Sequence, residues 1–123
     1  MAKRVLVVDD SSAIRESVSY VLDQAGYGVV QAGDGLEGLE KLKEGGLDLI
    51  VTDVNMPNLD GIGLVRKVRE QGQHKFLPIV VLTTESQQSK MQEGKEAGAT
   101  GWIVKPFDSE KLLGVVKKLI GAA

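Results

Sequence analysis

The sequence predicts an α/β fold: a doubly wound sheet of five parallel strands with five helices packed on its two faces. Three observations lead there. Short β-branched runs recur along the 123 residues, stretches with helical apolar spacing separate them, and ionisable residues gather where the runs end. Regular alternation of strand and helix implies parallel strands with crossover helices on both faces, joined by right-handed connections.

The predicted strands are Val5–Val8, Gly28–Ala32, Leu47–Val51, Ile79–Leu82 and Trp102–Val104. Each is short, as suits a buried strand. Ile14, Val18, Val21, Leu22 and Ala25 then repeat on one face of a first helix. Ser11 or Ser12 can cap its start, and Gly26 can close it. Asp34 followed by Glu37 reads as a capping box for a second helix, which Gly45-Gly46 ends. Asp60-Gly61 opens a third, carried by Ile62, Val65 and Val68. The fourth, starting near Ser86 and running to Ala97, has one large apolar residue, Met91. So thin a stripe gains little from burial, so this helix is expected to be the loosest. Leu112, Val115, Val116, Leu119 and Ile120 form the broad stripe of the last helix, with Asp108 or Ser109 as its cap.

Composition narrows the function. Hydrophobic residues make up 42% of the chain and charged residues 26%, which argues against disorder. The net charge of -2 offers no basic footprint for nucleic acid or an anionic membrane. No cysteine is present, which excludes disulfides, zinc thiolate sites and cysteine nucleophiles. The first apolar run is too short for a signal peptide or a membrane span. The expectation is one cytoplasmic domain over 1–123, acting as a monomer.

Chemistry collects at the strand ends. Open α/β sheets bind ligands outside the carboxyl ends of their strands, and five strands suit the order 2-1-3-4-5. The first strand runs into Asp9-Asp10, the third into Thr52-Asp53, the fourth into Thr83-Thr84 and the fifth into Lys105-Pro106. In that order these four strands are consecutive neighbours, so three carboxylates, a hydroxyl and an ammonium converge on one rim. The second strand ends in Gln31-Ala32-Gly33 and adds nothing ionisable. Clustered carboxylates need a cation or a shared proton, and hard oxygen ligands favour Mg2+ or Ca2+. A carboxylate is also a nucleophile that can form an aspartyl-phosphate. On this reading Asp9 and Asp10 supply the metal site and Asp53 the nucleophile. Lys105 is the counter-charge, and Thr83 donates its hydroxyl to a phosphoryl oxygen.

The segments VLVVDDSSAIR, LIVTDVNMPNLDG, IVVLTTES and GWIVKPFD resemble the receiver-domain family of two-component signalling, most of all its stand-alone chemotaxis members. The resemblance spans the chain from first strand to last helix. Members of this family with the flavodoxin-like sheet are themselves the standard example of the order 2-1-3-4-5, so the strand order is not independent of the resemblance. It implies Mg2+ bound directly by Asp10 and Asp53, through water by Asp9, and by the backbone carbonyl of Asn55. It implies that Asn55 and Glu85 tune hydrolysis of the phosphorylated state. It also implies a cis Lys105–Pro106 bond, and an aromatic at position 102 that turns inward when Thr83 closes on the phosphoryl group. Tryptophan there departs from the usual tyrosine or phenylalanine, and Trp102 has no phenol hydroxyl to offer a partner.

The implied function is a phosphorylation-activated switch, not a multiple-turnover enzyme. A histidine kinase of the chemotaxis type donates the phosphoryl group. The output, for which the resemblance implies a flagellar motor switch protein, docks on the face of the fourth helix, fifth strand and fifth helix. If the chain is full length it carries no DNA-binding domain. Three rivals stand beside this reading. An aspartate-nucleophile phosphatase of the haloacid-dehalogenase kind needs a second aspartate where Asn55 stands. A flavodoxin-like cofactor binder needs a phosphate loop where Asp9 and Asp10 stand. A degenerate receiver that docks without phosphorylation has usually lost a key residue.

Overall fold

The computed structural model describes residues 2–123. Five strands, β1 (Arg4–Val8), β2 (Gly28–Ala32), β3 (Leu49–Thr52), β4 (Ile79–Thr83) and β5 (Gly101–Val104), alternate with α1 (Ser12–Gln24), α2 (Gly35–Lys43), α3 (Gly61–Glu70), α4 (Gln88–Ala97) and α5 (Ser109–Ile120). The sheet is parallel throughout, in the order β2-β1-β3-β4-β5. No helix among the described residues is long and apolar enough to cross a membrane.

Alternation along the strands builds the two layers. Val5 and Val7 of β1 pack with Val18 and Leu22 of α1 and with Leu112 and Val116 of α5. Leu6 and Val8 point the other way, to Leu42 of α2 and to Leu64, Val65 and Val68 of α3. The central strands are buried on both faces, as parallel strands under helices must be. β2 and β5 lie at the two sheet edges and are only partly buried, with Ala32 and Ile103 their single buried residues, so the expectation of five buried strands fails at both edges.

Helix starts follow the caps read from sequence, with two corrections. Ser11 accepts from the Ile14 N–H, Asp60 from Gly63 and Asp108 from Glu110. Asp34 accepts from the Glu37 N–H at 2.8 Å. The Glu37 carboxylate, however, accepts from Gly33 at 2.5 Å, one residue before the cap, so the reciprocal half of the capping box is displaced. The second correction concerns α4, which begins at Gln88 rather than Ser86 and has no side-chain cap. Strand β3 likewise starts at Leu49 rather than Leu47; at Asp48 the Arg4 N–H is taken by the side-chain carboxylate, at 2.9 Å, instead of by a strand carbonyl. The polar QGQHKF segment contains one 3-10 turn, Gly72–His74.

Only Gly94 of α4 is buried. Its C-terminal end is clamped, since the Arg69 guanidinium donates twice to the Gly98 carbonyl, at 3.1 and 2.9 Å. Its N-terminal end lacks a cap, which ordinarily contributes about 1 kcal/mol. Amide exchange in α4 is therefore expected to be about tenfold or more faster than in α1 and α5, through local opening. Equal protection of all three helices by hydrogen-exchange NMR would remove the case for a loose α4.

Candidate functional site

Each acidic strand end is held by the neighbouring strand. The Asp9 N–H donates to the Ala32 carbonyl of β2, at 3.1 Å, and the Asp53 N–H to the Val8 carbonyl of β1, at 3.0 Å. The Lys105 N–H donates to the Thr83 carbonyl of β4, at 2.7 Å. Strand pairing thus carries the three side chains to one rim. Lys105 Nζ lies 2.9 Å from Asp9 Oδ2 and 3.1 Å from Asp53 Oδ2. The Lys105–Pro106 peptide is cis.

These groups are mostly out of water: the Asp9 side chain is 5% exposed, Lys105 11% and Asp53 12%. Burial pushes the Lys105 ammonium down, but the hydrogen bonds and negative charge of Asp9 and Asp53 outweigh it, and the net direction is up. Lys105 is therefore an ammonium throughout the neutral range. The remaining oxygens find backbone donors. Asp9 Oδ1 accepts from the Ser11 N–H at 2.9 Å, and Asp53 Oδ1 from the Val54 N–H at 2.6 Å.

Asp10 is exposed beside them, and ligand oxygens of Asp9, Asp10 and Asp53 lie within 4.8 Å of one another. Three carboxylates against one ammonium leave this rim net negative. Such an all-oxygen donor set, partly open to water, fits a hard divalent cation.

A model of the response regulator receiver domain matches residues 5–117. The chain belongs to this receiver family. The chemotaxis protein CheY-3 of Vibrio cholerae is 40% identical over 110 residues, covering 89% of this chain and 85% of that protein. The solved structure of CheY4 from Vibrio cholerae is 50% identical, with a TM-score of 0.92 over 97% of this chain and 99% of that one. The receiver domain of the sensor histidine kinase PA1611 from Pseudomonas aeruginosa is 26% identical, with a TM-score of 0.91 over 99% of this chain and 100% of that one. Its structure has a magnesium ion coordinated in the active-site cleft. The receiver fold and the strand order expected from the sequence are both borne out.

The other residues singled out from this receiver's sequence sit around the rim rather than in it. Thr83 is fully buried at the end of β4, and its Oγ1 accepts from the Glu85 N–H at 3.2 Å. Asn55 is exposed, two residues beyond Asp53. Trp102 and Glu85 are joined directly: the indole Nε1–H donates to the Glu85 carbonyl at 3.0 Å. The indole lies over Gly94, where a Cβ would come within 2.5 Å of the ring. The Glu85 side chain turns to the Gln87 N–H, at 3.2 Å.

Sequence reasoning missed Arg15. Its Nη1 donates to the Asp9 carbonyl at 2.7 Å and its Nε to Gln31 Oε1 at 3.0 Å. The only sequence signal was its place in the first turns of α1, the helix that leaves the acidic pair.

Proposed function

We propose that this receiver domain is a switch in which Asp53 accepts a phosphoryl group, with Mg2+ at the rim, and the fold reports it to a partner. The observation that carries the reading is the Lys105 ammonium bridging Asp9 and Asp53 while Asp10 stands open beside them. An Asp53 oxygen attacks phosphorus, an O–P bond forms, and the P–N bond of a kinase phosphohistidine breaks. Its electron pair returns to the imidazole. Little covalent machinery is required, because positioning and charge neutralisation dominate this chemistry.

Asp10, Asp53 and the Asn55 carbonyl would hold Mg2+ directly. Asp9, whose two oxygens are already engaged by Ser11 and Lys105, would hold it through water. When bound, the ion supplies charge neutralisation for the phosphoryl oxygens. The magnesium in the PA1611 receiver supports this assignment. Lys105 keeps a cation beside the acceptor, and Thr83 closes on a phosphoryl oxygen from the neighbouring strand end. Breaking the Thr83–Glu85 contact then moves the β4–α4 turn that Trp102 holds. Asn55 and Glu85, which flank the acceptor and Thr83, tune how fast water removes the phosphoryl group.

The donor is a sensor histidine kinase. Similarity to the chemotaxis protein CheY-3 favours a kinase of the chemotaxis type, and a flagellar motor switch protein is the output that the family resemblance implies. The output face comprises α4, β5 and α5. There a groove of about 320 Å³ is lined by Met91, Gln92, Lys95, Thr100 and Trp102, along α4, of which only Gly94 is buried.

Radiolabelled acetyl phosphate tests the proposal. Label should reach about one per chain, require Mg2+, and be released by hydroxylamine as an acyl phosphate is. If neither acetyl phosphate nor any kinase labels the folded protein, the switch fails and a docking module without phosphorylation takes its place.

A further inference from the structure

The end of β2 carries nothing ionisable and sits at the sheet edge, outside the group of strands that meet at the rim. It nevertheless reaches the site. The Asp9 N–H donates to the Ala32 carbonyl of β2. The Asp9 carbonyl accepts from Arg15 Nη1 at 2.7 Å, and the same guanidinium is tied through Nε to Gln31 of β2 at 3.0 Å. Both polar backbone groups of Asp9 are thus anchored on one edge strand, one directly and one through a charged fork.

The Asp9 carbonyl shares a plane with the Asp10 N–H and with both flanking Cα atoms. Fixing that oxygen fixes the direction in which Asp10 leaves the strand. Asp9 is held again through its side chain by Ser11 and Lys105, whereas the Asp10 side chain is exposed. Asp10 therefore depends on its backbone for its aim. A charge-assisted bond of 2.7 Å to a carbonyl is a strong way to supply it.

We propose that Arg15, tethered by Gln31, is a positioning residue of the cation site: it locks the Asp9–Asp10 peptide and so aims the Asp10 carboxylate. The proposal rests on the reading of the rim as a Mg2+ site. It extends that site to an edge strand and to a cation whose hydrogen bonds go to the Asp9 carbonyl and Gln31 rather than to a rim carboxylate.

Arg15 can act in two opposite senses. As a nearby positive charge it repels a divalent cation, so its removal strengthens binding. As a positioning group it preorganises a ligand, so its removal weakens binding, in the manner of groups that orient metal ligands. Calorimetric titration of the folded protein with Mg2+ reads the sign. Arg15→Ala is expected to weaken Mg2+ binding about tenfold. Arg15→Lys keeps the charge but lacks the fork that reaches two acceptors at once, and is expected to recover only part of the affinity. Gln31→Leu leaves the charge untouched and is expected to weaken binding about threefold. In the Arg15→Ala background Gln31→Leu should add nothing, because both act through one contact.

Unchanged or tighter binding in Arg15→Ala overturns the proposal, as does full recovery in Arg15→Lys. A purely structural role would lower the unfolding midpoint without metal and leave Mg2+ affinity unmoved, which also overturns it. Should Arg15→Ala not fold, as judged by circular dichroism, Gln31→Leu decides alone: unchanged affinity sinks the tether. If the parent protein takes up no Mg2+, the metal-site reading itself fails. Loss confined to the variants' behaviour leaves that reading standing.

Discussion

Asp53→Asn is expected to reduce phosphoryl labelling by at least about a thousandfold, the scale seen when a reacting group is removed outright. The two Asp53 oxygens are both needed as acceptors, one facing the Val54 N–H at 2.6 Å and the other the Lys105 ammonium at 3.1 Å. A carboxamide has a single acceptor oxygen. If that oxygen keeps the Val54 contact, the amide NH2 faces the ammonium and Lys105 retreats to Asp9 alone. The variant therefore loses its nucleophile and the counter-charge placed beside it. The core beneath is untouched, so far-UV circular dichroism and a cooperative urea transition should be retained. Hydroxylamine-labile label persisting in the folded variant would move the acceptor to another carboxylate, with Asp10 the first to examine. Label lost together with the fold would say nothing about the acceptor, which is why the unfolding curve belongs to the same experiment.

Gly61→Ala is expected to cost about 3 kcal/mol of stability, the upper range for forcing atoms into a packed region, and to slow labelling about a hundredfold. By helix propensity alone the substitution favours folding by up to about 1 kcal/mol. Packing reverses the sign. A Cβ on Gly61 would lie 1.9 Å from the Asp53 carbonyl oxygen and 2.9 Å from the Val54 Cα, and these are backbone atoms that cannot rotate away. The Gly61 N–H also donates to the Val54 carbonyl at 2.8 Å, so α3 cannot lift off without breaking that bond. Displacing the Asp53 peptide by about 1 Å is enough to cost two orders of magnitude in a reaction that depends on alignment. Gly114→Ala is the control: it sits in the exposed face of α5 with nothing within 4 Å of its Cβ, and should gain about 0.5–1 kcal/mol. Urea titration of the three proteins decides. Gly61→Ala within about 0.5 kcal/mol of the parent, the ordinary scatter of surface changes, would mean that α3 is not seated on the acceptor loop.

Much of this architecture is legible in the residue pattern. The apolar runs of β1, β3 and β4 mark strands buried on two faces, and Asp34, Asp60 and Ser11 mark helix starts by their own hydrogen bonds. Asp9, Asp10, Asp53 and Lys105 were legible as a group because parallel strands present all their carboxyl ends on one side. The mis-seen details share a cause. At Ser86 the helical spacing continues although α4 begins only at Gln88, with no side-chain cap. At Leu47 the apolar run continues although β3 begins at Leu49, and it is Asp48, not Leu47, that first bonds to β1.

Residue order alone settles the layered α/β class, the face each helix buries and the chemical types gathered at the rim. These follow from local periods and from the fixed sidedness of parallel strands. Tertiary structure alone decides how those groups are aimed. Arg15 binds the Asp9 carbonyl, Gln31 holds Arg15 from an edge strand, Trp102 holds the Glu85 carbonyl, and Gly61 lets α3 rest on the Asp53 peptide. Each of these joins a side chain, or the lack of one, to backbone contributed by another element. Backbone carbonyls and N–H groups are the same at every position, so no residue pattern marks which of them a distant side chain will reach.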